Sequence, residues 1–164
     1  MIIKGSGASP GFGSGNAIVI KDLNDLDKVK EGDILITEMT TPDFVPIMRI
    51  VSGIITDKGG RTCHAAIVSR ELGVPCVVGA YDAKSGKSAT TEIISNDEVT
   101  IDGTSGHVYE GIIKIPEKLV EEESQFSTTT KVYVNLADPI SAPKISQRNV
   151  DGIGLLRAEF IIAN

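Results

Sequence analysis

Ile54-Ile55-Thr56-Asp57-Lys58-Gly59-Gly60-Arg61-Thr62-Cys63-His64-Ala65-Ala66-Ile67-Val68-Ser69-Arg70-Glu71-Leu72-Gly73-Val74-Pro75-Cys76-Val77-Val78 spells a strand, a glycine loop, a helix and a second strand. Ile54–Asp57 is a short β-branched run of the kind that forms a buried strand. A helix is predicted from about Thr62 to Leu72, with Thr62 as its N-cap and Ala65, Val68 and Leu72 as its inward stripe, widened by Ile67. Gly73 suits the left-handed residue that closes a helix, and Pro75 prevents continuation. Two strands joined through a helix in this way must be parallel. The stretch therefore predicts a compact βαβ unit inside an α/β domain.

The flanking sequence extends the same pattern. Gly5–Gly15 is glycine-rich and runs into a strand at Asn16–Ile20; it lacks the Gly-Lys-Ser/Thr of a nucleotide loop, so a closely packed strand entry is the favoured reading. A short surface helix capped by Asp22 is expected at 21–29, a buried strand at Asp33–Thr37, and a helix start at Thr41-Pro42-Asp43. Glu98–Asp102 and Gly106–Tyr109 read as a hairpin around Gly103-Thr104-Ser105-Gly106. The predicted organisation is a layered α/β domain over 1–116, an acidic then Ser/Thr-rich linker at 117–130, and a new unit over 131–164. The last segment is too short to close its own core and stops mid-pattern, so the polypeptide reads as a fragment with a truncated second domain.

Composition narrows the function. A hydrophobic content of 41% fits a folded chain, while a net charge of −6 and only 4% aromatic residues argue against nucleic-acid binding or anionic membranes. No signal peptide opens the chain and no apolar run is long enough to span a bilayer, so a cytoplasmic, reducing setting is expected. A Cys63–Cys76 disulfide is disfavoured, and a zinc site from Cys63, His64 and Cys76 would lack a fourth ligand.

The chemistry concentrates at His64. A phosphoryl carrier needs a nucleophile that is largely unprotonated near neutral pH, and histidine's ordinary pKa of about 6.5 meets that need. A helix N-terminus disfavours a positive ring and then stabilises a bound dianion by roughly 0.3–1 kcal/mol when exposed. Gly59 and Gly60 let backbone amides approach a phosphate, and Arg61 offers a charge-assisted contact. Thr62 could bond the ring or the phosphate. It is also a candidate regulatory phosphorylation site, where a second dianion would repel the first. His107 has no glycine loop or cation beside it and reads as structural or solvent-exposed; no Ser/His/Asp arrangement presents itself.

Gly59 through Pro75 resembles the phosphohistidine signature of the phosphoenolpyruvate-utilising enzymes, a family that includes a synthase, a dikinase and enzyme I of the sugar phosphotransferase system. Ser9-Pro10-Gly11 and the segment from Asp102-Gly103 through Gly111 are similar to the ends of that family's mobile domain. Asp151-Gly152-Ile153-Gly154-Leu155-Leu156-Arg157-Ala158-Glu159-Phe160 resembles the opening of its phosphoenolpyruvate/pyruvate-binding barrel. The resemblance implies a β/β/α swivelling domain followed by the truncated first segment of a (β/α)8 barrel. It implies His64 as phosphoryl carrier, Gly59, Gly60, Arg61 and Thr62 around the phosphate, and Arg157 as a substrate-phosphate contact.

The sequence Arg61-Thr62-Cys63-His64 is closer to the synthase branch, whose reaction turns ATP, pyruvate and water into AMP, phosphoenolpyruvate and phosphate. The dikinase branch and a stand-alone carrier module remain as alternatives. The implied partners are an ATP-grasp domain and the barrel of the same enzyme, with Mg2+ held by parts outside this chain and oligomers forming through the barrel. The segment alone is expected to be inactive as a synthase.

Overall fold

The fold is described from a computed structural model covering residues 3–82, 84–113, 129–136 and 142–156. These fall into two compact units, Met1–Lys114 and Ile115–Asn164, and each is described by itself. Apart from Thr129 and Thr130, the linker expected at 117–130 lies outside the described residues.

In the first unit the glycine-rich opening forms two strands, β1 (Ile3–Ser9) and β2 (Phe12–Ile20). A 3-10 turn at Leu23–Lys28 follows, with the Asp22 carboxylate accepting from the Asn24 amide; the expected short helix is thus present in its tighter form. Then come β3 (Ile34–Thr37), a Pro42–Phe44 3-10 turn leading into α1 (Val45–Met48), and β4 (Gly53–Thr56). α2 (His64–Leu72) and β5 (Cys76–Tyr81) complete the predicted unit. Beyond them lie α3 (Ala89–Glu92) and the hairpin of β6 (Glu98–Asp102) and β7 (His107–Glu110).

The seven strands close into a barrel in the order β1-β5-β4-β3-β2-β6-β7, with β7 pairing back onto β1. β2, β3, β4 and β5 are mutually parallel, as a βαβ unit requires. Alternate residues of these strands serve two cores. Ile34, Ile36, Ile55, Val77, Val99 and Ile101 fill one. Leu35, Ile54, Cys76 and Val78 face the other, where Ala65, Ala66, Val68, Phe44 and Met48 cover the sheet. The apolar content of the central strands thus buries on both faces, which is why they read as unbroken hydrophobic runs.

The glycine-rich segment is a packing device. A Cβ on Gly13 would lie 2.0 Å from the Ser52 carbonyl oxygen, and one on Gly15 2.1 Å from that of Gly32. At the far end of the unit, the buried Thr100 hydroxyl donates to the Gly111 carbonyl and accepts from the Ile113 amide, fastening the segment that follows β7.

The second unit contains β8 (Tyr133–Leu136), α4 (Ala142–Ser146) and β9 (Gly152–Leu156), with β8 and β9 parallel. Ile153, Leu155 and Leu156 are exposed there.

Candidate functional site at the start of α2

Parallel strands β3 and β4 end side by side at Thr37 and Thr56, and the loops leaving their C-terminal ends frame His64. The C-terminal ends of parallel strands are where α/β folds characteristically place ligands. The first loop supplies Thr40, a buried residue whose Oγ1 lies 2.8 Å from Nδ1 of His64. The second supplies Gly59 and Gly60. Gly59 adopts φ +110°, and a Cβ there would meet Cys63 Sγ at 2.8 Å, so both conformation and contact require glycine. Gly60 has neither constraint: its φ is not positive and nothing lies within 4 Å of its Cβ position.

α2 begins at His64, two residues later than the spacing predicts. Cys63, not Thr62, is the N-cap, and it makes no side-chain cap bond. Thr62 is exposed, and the ring takes its hydroxyl partner from Thr40. The Cys63 amide closes a turn onto the Gly60 carbonyl, and the first helical bond runs from the Ile67 amide to the Cys63 carbonyl. The amides of His64, Ala65 and Ala66 are therefore left over at the helix start. Among the described residues, those of Gly59, Gly60, Arg61 and Thr62 also find no backbone acceptor. A cluster of uncommitted donors beside an imidazole is a site suited to an anion.

At its other end α2 stops as predicted. Gly73 has φ +71°, with its own amide bonded to the Arg70 carbonyl and the Val74 amide to that of Ser69. The expected inward stripe is corrected at one position: Ile67 is exposed and Ala66 is fully buried. On a nine-residue helix, Ala66 faces the sheet because small residues allow close approach to β1 and β5.

Arg61 is less free than the sequence suggests. Its Nε donates to the Gly7 carbonyl at 3.1 Å, and Arg70 Nη1 grips the neighbouring Ala8 carbonyl at 3.0 Å. Arg61 thus ties the loop to β1. Arg157 lies outside the described residues.

Burial pushes the His64 pKa below 6.5, since a partly desolvated ring disfavours its charged form. The expected consequence is that His64 modification by phosphoramidate, a small donor needing no partner domain, rises with pH through a midpoint below 6.5 and is flat above pH 7. A midpoint at or above 6.5 contradicts this. Both cysteines are free. Burial pushes the Cys76 thiol up to about 12 despite its hydrogen bond with Ser69, so it is an inert core residue. Among the described residues no three His, Cys, Asp or Glu side chains gather in a metal-binding group.

Thr40 is the participant that sequence reasoning missed. The available signal was positional: it follows directly on the C-terminal end of a strand parallel to the one that feeds the glycine loop. Its hydroxyl can accept Nδ1–H, which fixes the ring and leaves the lone pair on Nε2. Thr40→Val is expected to slow His64 modification by about tenfold, with Thr40→Ser near wild type. Equal rates in all three remove Thr40 from the site.

His107 also has a partner network. Ser105 Oγ lies 2.6 Å from Asp102 Oδ2 and 2.8 Å from His107 Nδ1, so a Ser, a His and an Asp do meet in space, contrary to the sequence reading. The serine stands between the other two, however. The Asp102 carboxylate also accepts the Thr104 and Ser105 amides, which makes the group a turn-forming network.

Residues 29–106 match the family model described as PEP-utilising enzyme, mobile domain. The chain is 49% identical over 99% of its length to phosphoenolpyruvate synthase of Pyrococcus furiosus, covering 20% of that protein. It is 50% identical over 99% of its length to a probable phosphoenolpyruvate synthase of Methanothermobacter thermautotrophicus, covering 24%. A solution structure of Enzyme I is 33% identical over 52% of this chain and 33% of that one, with a TM-score of 0.42. The chain thus spans about a fifth to a quarter of the length of these synthases. Residues 29–106, with His64 and its glycine loop inside them, belong to the mobile domain of the phosphoenolpyruvate-utilising enzymes, and the chain as a whole is homologous to a segment of the phosphoenolpyruvate synthases.

Proposed function

We propose that this chain is the phosphoryl-carrying segment of a phosphoenolpyruvate synthase, with His64 as the carrier. In the complete enzyme ATP, pyruvate and water would yield AMP, phosphoenolpyruvate and phosphate. The observation that carries the proposal is the seating of His64. The ring is held at Nδ1 by Thr40, biased toward its neutral form by burial, and placed where α2 and the glycine loop leave amides without backbone acceptors among the described residues.

Nε2 would attack the β-phosphorus of ATP with its lone pair as the bond to the leaving oxygen of AMP breaks, and water would then release the terminal phosphoryl group as phosphate, leaving one phosphoryl group on the ring. The amides of Gly59, Gly60 and Thr62, with a terminal nitrogen of Arg61, would stabilise the new dianion. In the second half-reaction pyruvate would lose a methyl proton to a base in the barrel, the resulting enolate oxygen would attack phosphorus, and the N–P bond would return its electron pair to Nε2. Both half-reactions need surfaces beyond this segment: an ATP-grasp domain and a phosphoenolpyruvate/pyruvate-binding barrel. The segment alone is accordingly proposed to be inactive as a synthase, and unit one to swivel between the two. Mg2+ would be held outside this chain and would neutralise the nucleotide phosphates. Oligomers would form through the barrel.

The parallel β8-α4-β9 arrangement with its exposed apolar residues supports reading the second unit as the start of that barrel, with Arg157 as a substrate contact. Thr62, exposed two residues before His64, fits a regulatory phosphorylation site. Free thiols fit a cytoplasmic setting, and no helix among the described residues is long and apolar enough to cross a membrane. The test is transfer of the β-phosphoryl label from ATP in the full-length enzyme carrying this segment. The reading requires an acid-labile, base-stable label on His64; a label on any other residue rejects it.

A further inference from the structure

Two surface side chains outside the proposed chemistry stand where the His64-framing loops separate. Past the last strand pair, Thr37 and Thr56, the parallel ladder continues for two more bonds: the Asp57 amide to the Thr37 carbonyl, and the Lys58 amide to the Glu38 carbonyl at 3.0 Å. Lys58 Nζ then meets Glu38 Oε1 at 2.5 Å, and the Thr56 hydroxyl holds the Lys58 carbonyl at 2.8 Å. Immediately afterwards the chains part. One proceeds through Met39 to Thr40 at the ring, and the other turns at Gly59 with its positive φ. The ion pair is the last link before that divergence.

We infer that Glu38 and Lys58 are positioning residues, a latch that holds the Thr40 hydroxyl and the glycine loop in register around His64. The inference rests on the phosphoryl-carrier reading for its purpose, but the latch itself is a matter of geometry. Both partners are exposed, and exposed ion pairs add little to stability. What this pair can do is fix one relative setting of the two chains at their last shared backbone bond, from which both loops depart. Thr40 is two residues from Glu38, so a shift of the first loop moves the hydroxyl away from Nδ1. Lys58 directly precedes Gly59 and Gly60, whose backbones have no side chain to restrain them.

The test uses the 164-residue chain. The imidazole 15N shifts of His64 report its tautomer and the bond at Nδ1 without any phosphoryl donor. Glu38→Gln and Lys58→Gln are expected to move these shifts in the direction Thr40→Val moves them. They should also slow phosphoramidate modification of His64 by about fivefold, well short of the ~100-fold that a misplacement of 1 Å can cause. Melting temperatures should stay unchanged. The charge-swapped double variant, Glu38→Lys with Lys58→Glu, should restore both readouts. Unchanged shifts in the single variants overturn the latch. So does a double variant that fails to recover, which would make Lys58 a phosphate-binding cation in its own right. If the shifts respond as expected but the full enzyme is never labelled at His64, the latch stands and the carrier reading fails.

Discussion

Replacing His64 with alanine is expected to abolish the acid-labile label in the full-length enzyme, a loss of at least about a thousandfold, the scale on which removing an enzyme's nucleophile acts. No neighbour can take over. Cys76 is buried with its thiol pushed up to about 12, and a sulfur- or hydroxyl-bound phosphoryl group would not share the acid lability of an N–P bond. His107 provides the control. Its Nδ1 is engaged with Ser105 in the β6–β7 turn, and no helix start or uncommitted amides accompany it. His107→Ala should therefore retain the label in full. Because His64 is only partly buried, its replacement should leave the melting temperature within a few degrees of wild type, which separates lost chemistry from lost structure. Undiminished labelling in His64→Ala would remove the proposed carrier altogether.

The second large effect is structural. Gly13→Ala should destabilise the first unit by about 3 kcal/mol or more, which for a domain of this size lowers the melting temperature by roughly 10–20 °C. The reason is the identity of the obstacle. The new methyl would sit 2.0 Å from the Ser52 carbonyl oxygen, a backbone atom that cannot rotate away as a flexible side chain does, so β2 must pull back from the turn before β4. Gly60→Ala is the paired measurement. With open space around it and no positive φ, it should change stability by less than about 1 kcal/mol. If both variants melt together with wild type, the close approach of β2 to the Ser52 turn is wrong.

Much of this architecture was legible in the chain. Strand, glycine loop, helix and strand follow from β-branched runs, Gly73 and Pro75, because those signals act within a few residues of each other. The hairpin around Gly103–Gly106 is local in the same sense. The early strands were not legible: β1 and the start of β2 lie in a glycine-rich run whose selection comes from distant backbone, Ser52 for Gly13 and Gly32 for Gly15. Nor were α3 or α4, each a single short turn of helix with too few residues for a period. At the site, His64 stood out through its neighbours in sequence. Thr40 did not, because it is 24 residues away and only the parallel pairing of β3 with β4 brings it to the ring. Arg61 was legible as a cation but not as a tether, since its acceptor is the Gly7 carbonyl, 54 residues away in sequence.

The pairing of β7 back onto β1 has a further consequence. A sheet with no free border offers no row of open amides to which another chain could zip. Any surface that receives this unit must hold it without adding a strand to its sheet, and letting go breaks no main-chain ladder. The shuttling proposed for this unit would call for such a body: self-contained while in transit, and easily parted from each berth.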